Sequence, residues 1–148
     1  MDKHTRHIRI TQWVSRCIAL LLVVLIFCLP ALLDWYMALR PMTELAKNAV
    51  TAAFYVCAVI IFFALWNVET LLGSILQGAV FTPENVSRIR RICRCCGGVG
   101  LVCIPASVAY PPLVFLVIIM GFLCLMVSVV ARVMTAAVAI REENDLTI

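Results

Sequence analysis

The residues best able to do chemistry in this 148-residue sequence are the thiols of "CRCC", Cys93, Cys95 and Cys96, and an H-x-x-H pair, His4 and His7. Thiolates and imidazoles are the usual ligands of zinc and copper, so these five side chains together would compose a metal site. A second pattern competes with that reading. Val86, Ile89, Cys93, Cys96, Gly100, Cys103 and Ser107 recur at spacings of three and four, as do Gly121, Cys124, Ser128, Ala131 and Thr135. Each set is one face of a helix. Small residues on such a face let two helices approach closely where lipid gives no hydrophobic drive. A reduced thiol there is a small packing group, and ligands strung along one seam do not gather into a tetrahedron. The cysteines are therefore read as a packing seam, with no metal and no cofactor site. "GGVG", Gly97–Gly100, belongs to the same seam, because it lacks the strand before and the Lys-Ser/Thr after that a phosphate loop needs.

The elements that position these residues follow from composition. The chain is 64% hydrophobic and only 14% charged, with a mean hydropathy of +1.07, whereas soluble domains carry about 25% charged residues. A soluble fold of this size has too little interior for so much apolar surface, so the natural solvent is a bilayer. Charge-free runs cover Cys17–Leu33, Asn48–Val68 and Cys95–Ala131. The last holds 37 residues, nearly two crossings at about 20 residues each. "SVAYPP", Ser107–Pro112, divides it, since successive prolines remove donors and disfavour helix. The first run is longer than a signal-peptide core and no small-x-small site follows it, so it reads as a retained helix. The expectation is an all-α integral membrane bundle of four transmembrane helices near 13–37, 48–77, 83–109 and 112–140, in one domain, with a cytoplasmic tail 141–148.

Basic residues set the threading. Of twelve Lys and Arg, ten fall on one side of this arrangement: Lys3, Arg6, Arg9, Arg16, Arg88, Arg90, Arg91, Arg94, Arg132 and Arg141. Arg40 and Lys47 fall on the other. The positive-inside rule then places both termini in the cytoplasm. Trp13, Trp35, Tyr36 and Tyr110 stand near the expected boundaries, as an aromatic belt does. Between helices two and three, Gly78 suits the position after a helix end. Thr82 reads as an N-cap, Pro83 as the first helical residue and Glu84 as first-turn acid, with Phe81 and Val86 as a hydrophobic staple. Helix three thus begins as an amphipathic cytoplasmic stub, "ENVSRIRRI", and continues into the membrane.

Ionisable groups at depth are the default functional signal in a membrane. Glu69 and Arg132 stand at similar depth on helices two and four; Glu69 either pairs with Arg132 or reaches the headgroups. Asn67 shares a face with Ala53, Cys57 and Ala64 and points inward. Asp34, beside Trp35, is solvated. No carboxylate, Lys or His stands near mid-membrane, which argues against a proton-coupled transporter. No Ser/His/Asp set, paired carboxylates at depth or cofactor fingerprint is present, so no enzyme is expected. With no basic domain outside the membrane segments, direct nucleic-acid binding is not expected either. The acidic ending "REENDLTI" is a second candidate site. Glu142, Glu143 and Asp145 would dock on Arg88, Arg90, Arg91 and Arg94 while Leu146 and Ile148 fill an apolar groove of this chain or of a partner; otherwise the ending is a frayed terminus.

"CLPALLDWYM" in helix one, "GAVFTPENVSRIRRICRCC" opening helix three and the final "REENDLTI" together resemble the domain of unknown function family 2975, small bacterial four-helix membrane proteins, over nearly the whole chain. The resemblance implies a bacterial, Gram-positive, plasma-membrane protein without established activity and supplies no catalytic residues. Some members are encoded beside a small helix-turn-helix regulator, which implies by analogy a cytoplasmic DNA-binding partner. The function read from all this is a non-enzymatic interaction or regulatory module that presents its cytoplasmic face to a partner. The alternative is a small oligomeric transporter or pore lined by the Gly/Cys/Ser seams.

Overall fold

The computed structural model describes residues 3–39 and 43–145, with side-chain surroundings for 8–39, 43–141 and 143. It consists of four α-helices, α1 (Lys3–Leu39), α2 (Glu44–Leu76), α3 (Pro83–Ala109) and α4 (Leu113–Asp145), with no strand among the described residues. Each is long and apolar enough to cross a membrane. Three helices run further than the apolar pattern marks. α1 begins at Lys3 rather than near 13, because "KHTRHIRITQ" contains no Gly or Pro to stop it. α4 runs on to Asp145 instead of ending near 140, so most of the expected tail is helix. α2 starts at Glu44 rather than 48, since Thr43 in extended geometry caps it and Thr43 Oγ1 accepts from the Ala46 amide at 3.3 Å.

The connections follow local chemistry closely. Gly78 has φ +81°, a conformation costly for any residue with a Cβ. Its amide donates to Ile75 O at 3.0 Å and that of Ala79 to Ser74 O at 3.1 Å, the paired bonds of a Schellman ending. Thr82, at φ −126° and ψ 147°, accepts from the Asn85 amide through Oγ1 at 3.3 Å, and Pro83 follows at the first helical position. Val86 is buried, whereas Phe81 stays 42% exposed. Asn85 is fully buried at the heart of this turn. Its Nδ2 donates to Ala79 O (2.6 Å) and Val80 O (3.2 Å), and its Oδ1 accepts from Arg88 Nη1 (2.8 Å). At the other end Tyr110 caps α3, and the Pro111–Pro112 turn opens α4.

The four helices do not close into the expected bundle. Among the described residues, helix backbones meet only between α1 and α2, α2 and α3, and α3 and α4. The molecule is an open row in chain order. Its core lies beside α3, where buried Cys57, Val99 and Cys103 pack with Ile60, Ile61, Leu116, Val117 and Met120. The outer helices leave Leu20, Leu21, Phe27, Phe115, Ile118 and Leu125 exposed. So large a contiguous apolar surface is untenable in water and ordinary in lipid. Trp13, Trp35 and Trp66 are also exposed, and Trp35, one turn before the end of α1, stands where amphipathic rings favour the membrane interface.

Two ion pairs fasten α1 to α2 at opposite ends, Arg16 Nε to Glu69 Oε1 at 2.6 Å and Lys47 Nζ to Asp34 Oδ1 at 2.8 Å. Between them a third contact repairs the backbone. Pro30 lies inside α1 and has no amide to offer Ile26 O four residues earlier. Tyr55 of α2 donates its hydroxyl to that carbonyl at 3.4 Å. A carbonyl left bare in hydrocarbon is costly, so a neighbouring helix supplies the donor. Tyr36 reaches further, to the Tyr110 hydroxyl at 2.9 Å.

Candidate functional site

The α3–α4 seam sets the register of everything near the arginines. A Cβ on Gly97 would meet Cys124 Sγ at 3.6 Å, and one on Gly100 would meet Met120 Cβ at 3.5 Å. Cys93 and Cys124 approach to 3.5 Å between sulfurs, and each thiol faces the other residue's carbonyl. Cys57 and Cys103 form a second sulfur contact, at 3.8 Å between α2 and α3. The helix-three face read from sequence is therefore at the interface, with Val86, Ile89, Gly100 and Cys103 buried. On α4 one position is wrong. Gly121 is exposed and meets nothing, because Met120, one residue and about 100° away, falls on the inward stripe with Leu116, Val117, Cys124 and Ala131.

All eight cysteines are free. Among the described residues no three His, Cys, Asp or Glu side chains gather as metal ligands. The side chains of His4 and His7 lie outside the described residues.

The most concentrated charge lies along α3. Arg88 is taken up by Asn85, and Arg90 Nη2 donates to Thr135 Oγ1 at 3.1 Å. Arg91, Arg94 and Arg132 are exposed and have no hydrogen bond or ion pair with any described residue. They line two cavities on either side of α3. One, of about 650 Å³ between α2 and α3, is walled by Val59, Ile60, Phe63 and Gly98 and has Arg91 and Arg94 at one end. The other, of about 550 Å³ between α3 and α4, contains Arg90, Arg94, Arg132, Cys93 and Ser128. Both volumes fall within the ~300–1,000 Å³ of small-molecule sites. Asn67 is buried and donates to Phe63 O at 2.8 Å.

One sequence expectation needs correction. Glu69 pairs with Arg16 on α1 and not with Arg132, which stands in the α3–α4 cavity. Consecutive antiparallel helices bring residues 16 and 69 to one level, and the open row puts α4 out of α2's reach. Asp34 is exposed, as its solvated reading expects, and also pairs with Lys47. The acidic docking idea also meets the geometry. The seam register sets Arg90 opposite Ala131, so α4 carries Glu143 twelve residues, about 18 Å, beyond that level. The side chains of Glu142 and Asp145, and Leu146 and Ile148 altogether, lie outside the described residues. Sequence reasoning missed Asn85, Tyr55 and the apolar wall of Val59, Ile60 and Phe63. A polar residue three positions past an N-cap and a proline inside a span were the available signals for the first two.

No curated protein and no solved structure gives a significant match to the chain. The family model described as "Protein of unknown function (DUF2975)" matches residues 4–148, so the four-helix chain with its basic third helix belongs to that family.

Proposed function

We propose that this chain is a multi-pass protein of a bacterial plasma membrane with both termini in the cytoplasm, acting as a non-enzymatic interaction module whose basic face receives a cytoplasmic partner. The observation that carries this reading is the set of arginines at one end of α3 and α4, with Arg91, Arg94 and Arg132 unpaired by any described residue. Uncompensated charge next to apolar spans is what the positive-inside rule retains in the cytoplasm. α3 spans 27 residues, about 40 Å of helix, against a hydrocarbon core of about 30 Å. The excess is supplied by its first turns, which stand as a cytoplasmic stub held by the Asn85 turn. The partner of best charge complementarity is acidic, and family analogy points to a small helix-turn-helix regulator. Chain order places Glu142, Glu143, Asp145, Leu146 and Ile148 on the same side as a second handle for that partner.

Affinity purification of the tagged chain from native membranes tests this. The expected result is a stoichiometric soluble partner that is lost when Arg91, Arg94 and Arg132 are replaced by Glu. A partner-free homo-oligomer that passes ions in liposomes would overturn it in favour of a small transporter or pore. A single open row encloses no path between its described helices, so a pore requires several copies.

A further inference from the structure

The cavity between α2 and α3 is polarised along the membrane normal. Arg91 and Arg94 stand at one end of it, while Gly98 lies one turn deeper and faces Ile60, 3.7 Å from where its Cβ would be. On the antiparallel α2, Phe63 precedes Ile60 and Val59 on the way inward, and Val59 and Phe63 are exposed on the outer side of the groove. The lining contains no acidic side chain.

Depth fixes what can reach this groove. Tyr110 and Lys47 mark the opposite end of the spans. Arg94 is sixteen residues from Tyr110, and Phe63 is sixteen from Lys47, each about 24 Å of helix. Against a hydrocarbon core of about 30 Å, both stand just inside the near boundary, where an arginine extends toward the headgroups. Arg91 is a turn closer to the surface. A basic pair at the boundary above an apolar trough that descends toward the midplane matches an anionic amphiphile. Guanidinium forks hold phosphate oxygens with geometry that a lysine lacks, and basic pockets between helices are a known form of lipid headgroup site.

We propose that this groove binds one anionic glycerophospholipid of the surrounding leaflet, its phosphate held between Arg91 and Arg94 and one acyl chain laid along Val59, Ile60, Phe63 and Gly98. The absence of a glycine side chain at Gly98 gives the chain its bed. The site requires only that this end of α3 lie at a membrane interface, and it stands or falls independently of any protein partner.

Native mass spectrometry of the full-length chain in detergent, titrated with phosphatidylglycerol, phosphatidylcholine or inorganic phosphate, tests it. One phosphatidylglycerol should bind ahead of all others, with phosphatidylcholine weaker and inorganic phosphate unable to displace it. Arg91→Gln should weaken that first lipid about tenfold or more, the value of one charged hydrogen bond. Arg132→Gln removes the same charge from the cavity on the other side of α3 and should leave the first lipid in place. Gly98→Leu keeps every charge but fills the trough and should weaken the lipid too. If Gly98→Leu disturbs folding, the two arginine variants decide the matter alone. Equal loss in Arg91→Gln and Arg132→Gln would reduce the effect to diffuse attraction and overturn the site. Equal affinity for phosphatidylcholine, or displacement by inorganic phosphate, would overturn it as well.

Discussion

Replacing Asn85 with Ala should loosen the turn on which the basic end of α3 is mounted. The side chain makes three hydrogen bonds from a fully buried position. At about 0.5–1.5 kcal/mol each, they sum to about 1.5–4.5 kcal/mol. Ala79 and Val80 are half-buried, so water recovers part of what their carbonyls lose, and about 2 kcal/mol is the working figure. For a chain of this size that corresponds to a drop of about 4–8 °C in Tm. A thiol-reactive dye reports unfolding as the labelling gained over that of the exposed Cys17 and Cys28, because Cys57 and Cys103 are buried and free. Asn85→Asp separates the contributions. It keeps the acceptor for Arg88 and gains about 0.3–1 kcal/mol from the helix dipole at this first-turn position. It also replaces the Nδ2 donor with an oxygen facing two carbonyls. If the donors hold the turn, Asp is as damaging as Ala. A wild-type or higher Tm for Asn85→Asp would refute the reasoning and leave Arg88 as the only contact that matters.

Three further outcomes follow from the packing. Gly100→Leu should destabilise the fold by about 1–3 kcal/mol through overpacking against Met120, whereas Gly121→Leu, in open space, should be tolerated in the same thermal assay. Tyr55→Phe should cost about 0.5–1.5 kcal/mol in the natural sequence and almost nothing beside Pro30→Ala, which returns an amide to Ile26 O; a double-mutant cycle in detergent measures the difference. A second cycle should couple Glu69 to Arg16 and not to Arg132, with a coupling no larger than about 1 kcal/mol because both side chains are substantially exposed.

What the sequence made legible was local or solvent-driven. Charge-free runs mark the four spans, since hydrocarbon penalises charge wherever a helix crosses it. The 78–83 turn was readable to the residue, because Gly, Thr and Pro each have one physical reason to stand there. The helix-three seam was readable from small residues at helical spacing. The open row was not. In lipid, outward Leu, Val and Phe look the same in sequence as inward ones, so α1 and α4 carry no mark of which face is unpartnered. The same ambiguity put Gly121 in the seam in place of Met120, because small size and not position was the cue. Glu69 was matched to Arg132 by depth alone, while adjacency in the chain favoured Arg16. The groove beside Arg91 and Arg94 was invisible for a related reason. Its apolar wall comes from α2, at residues that look like any other part of a span.

The claim on which the functional account rests is that the arginine-rich end of α3 faces the cytoplasm. A dual reporter fused after Ile148 measures it in living cells, pairing a phosphatase that is active only outside the plasma membrane with a fluorescent protein that matures only inside. The account predicts fluorescence without phosphatase activity, and the reverse for the same reporter placed between α1 and α2, ahead of Thr43. Phosphatase activity at Ile148 would contradict it and turn the basic face outward.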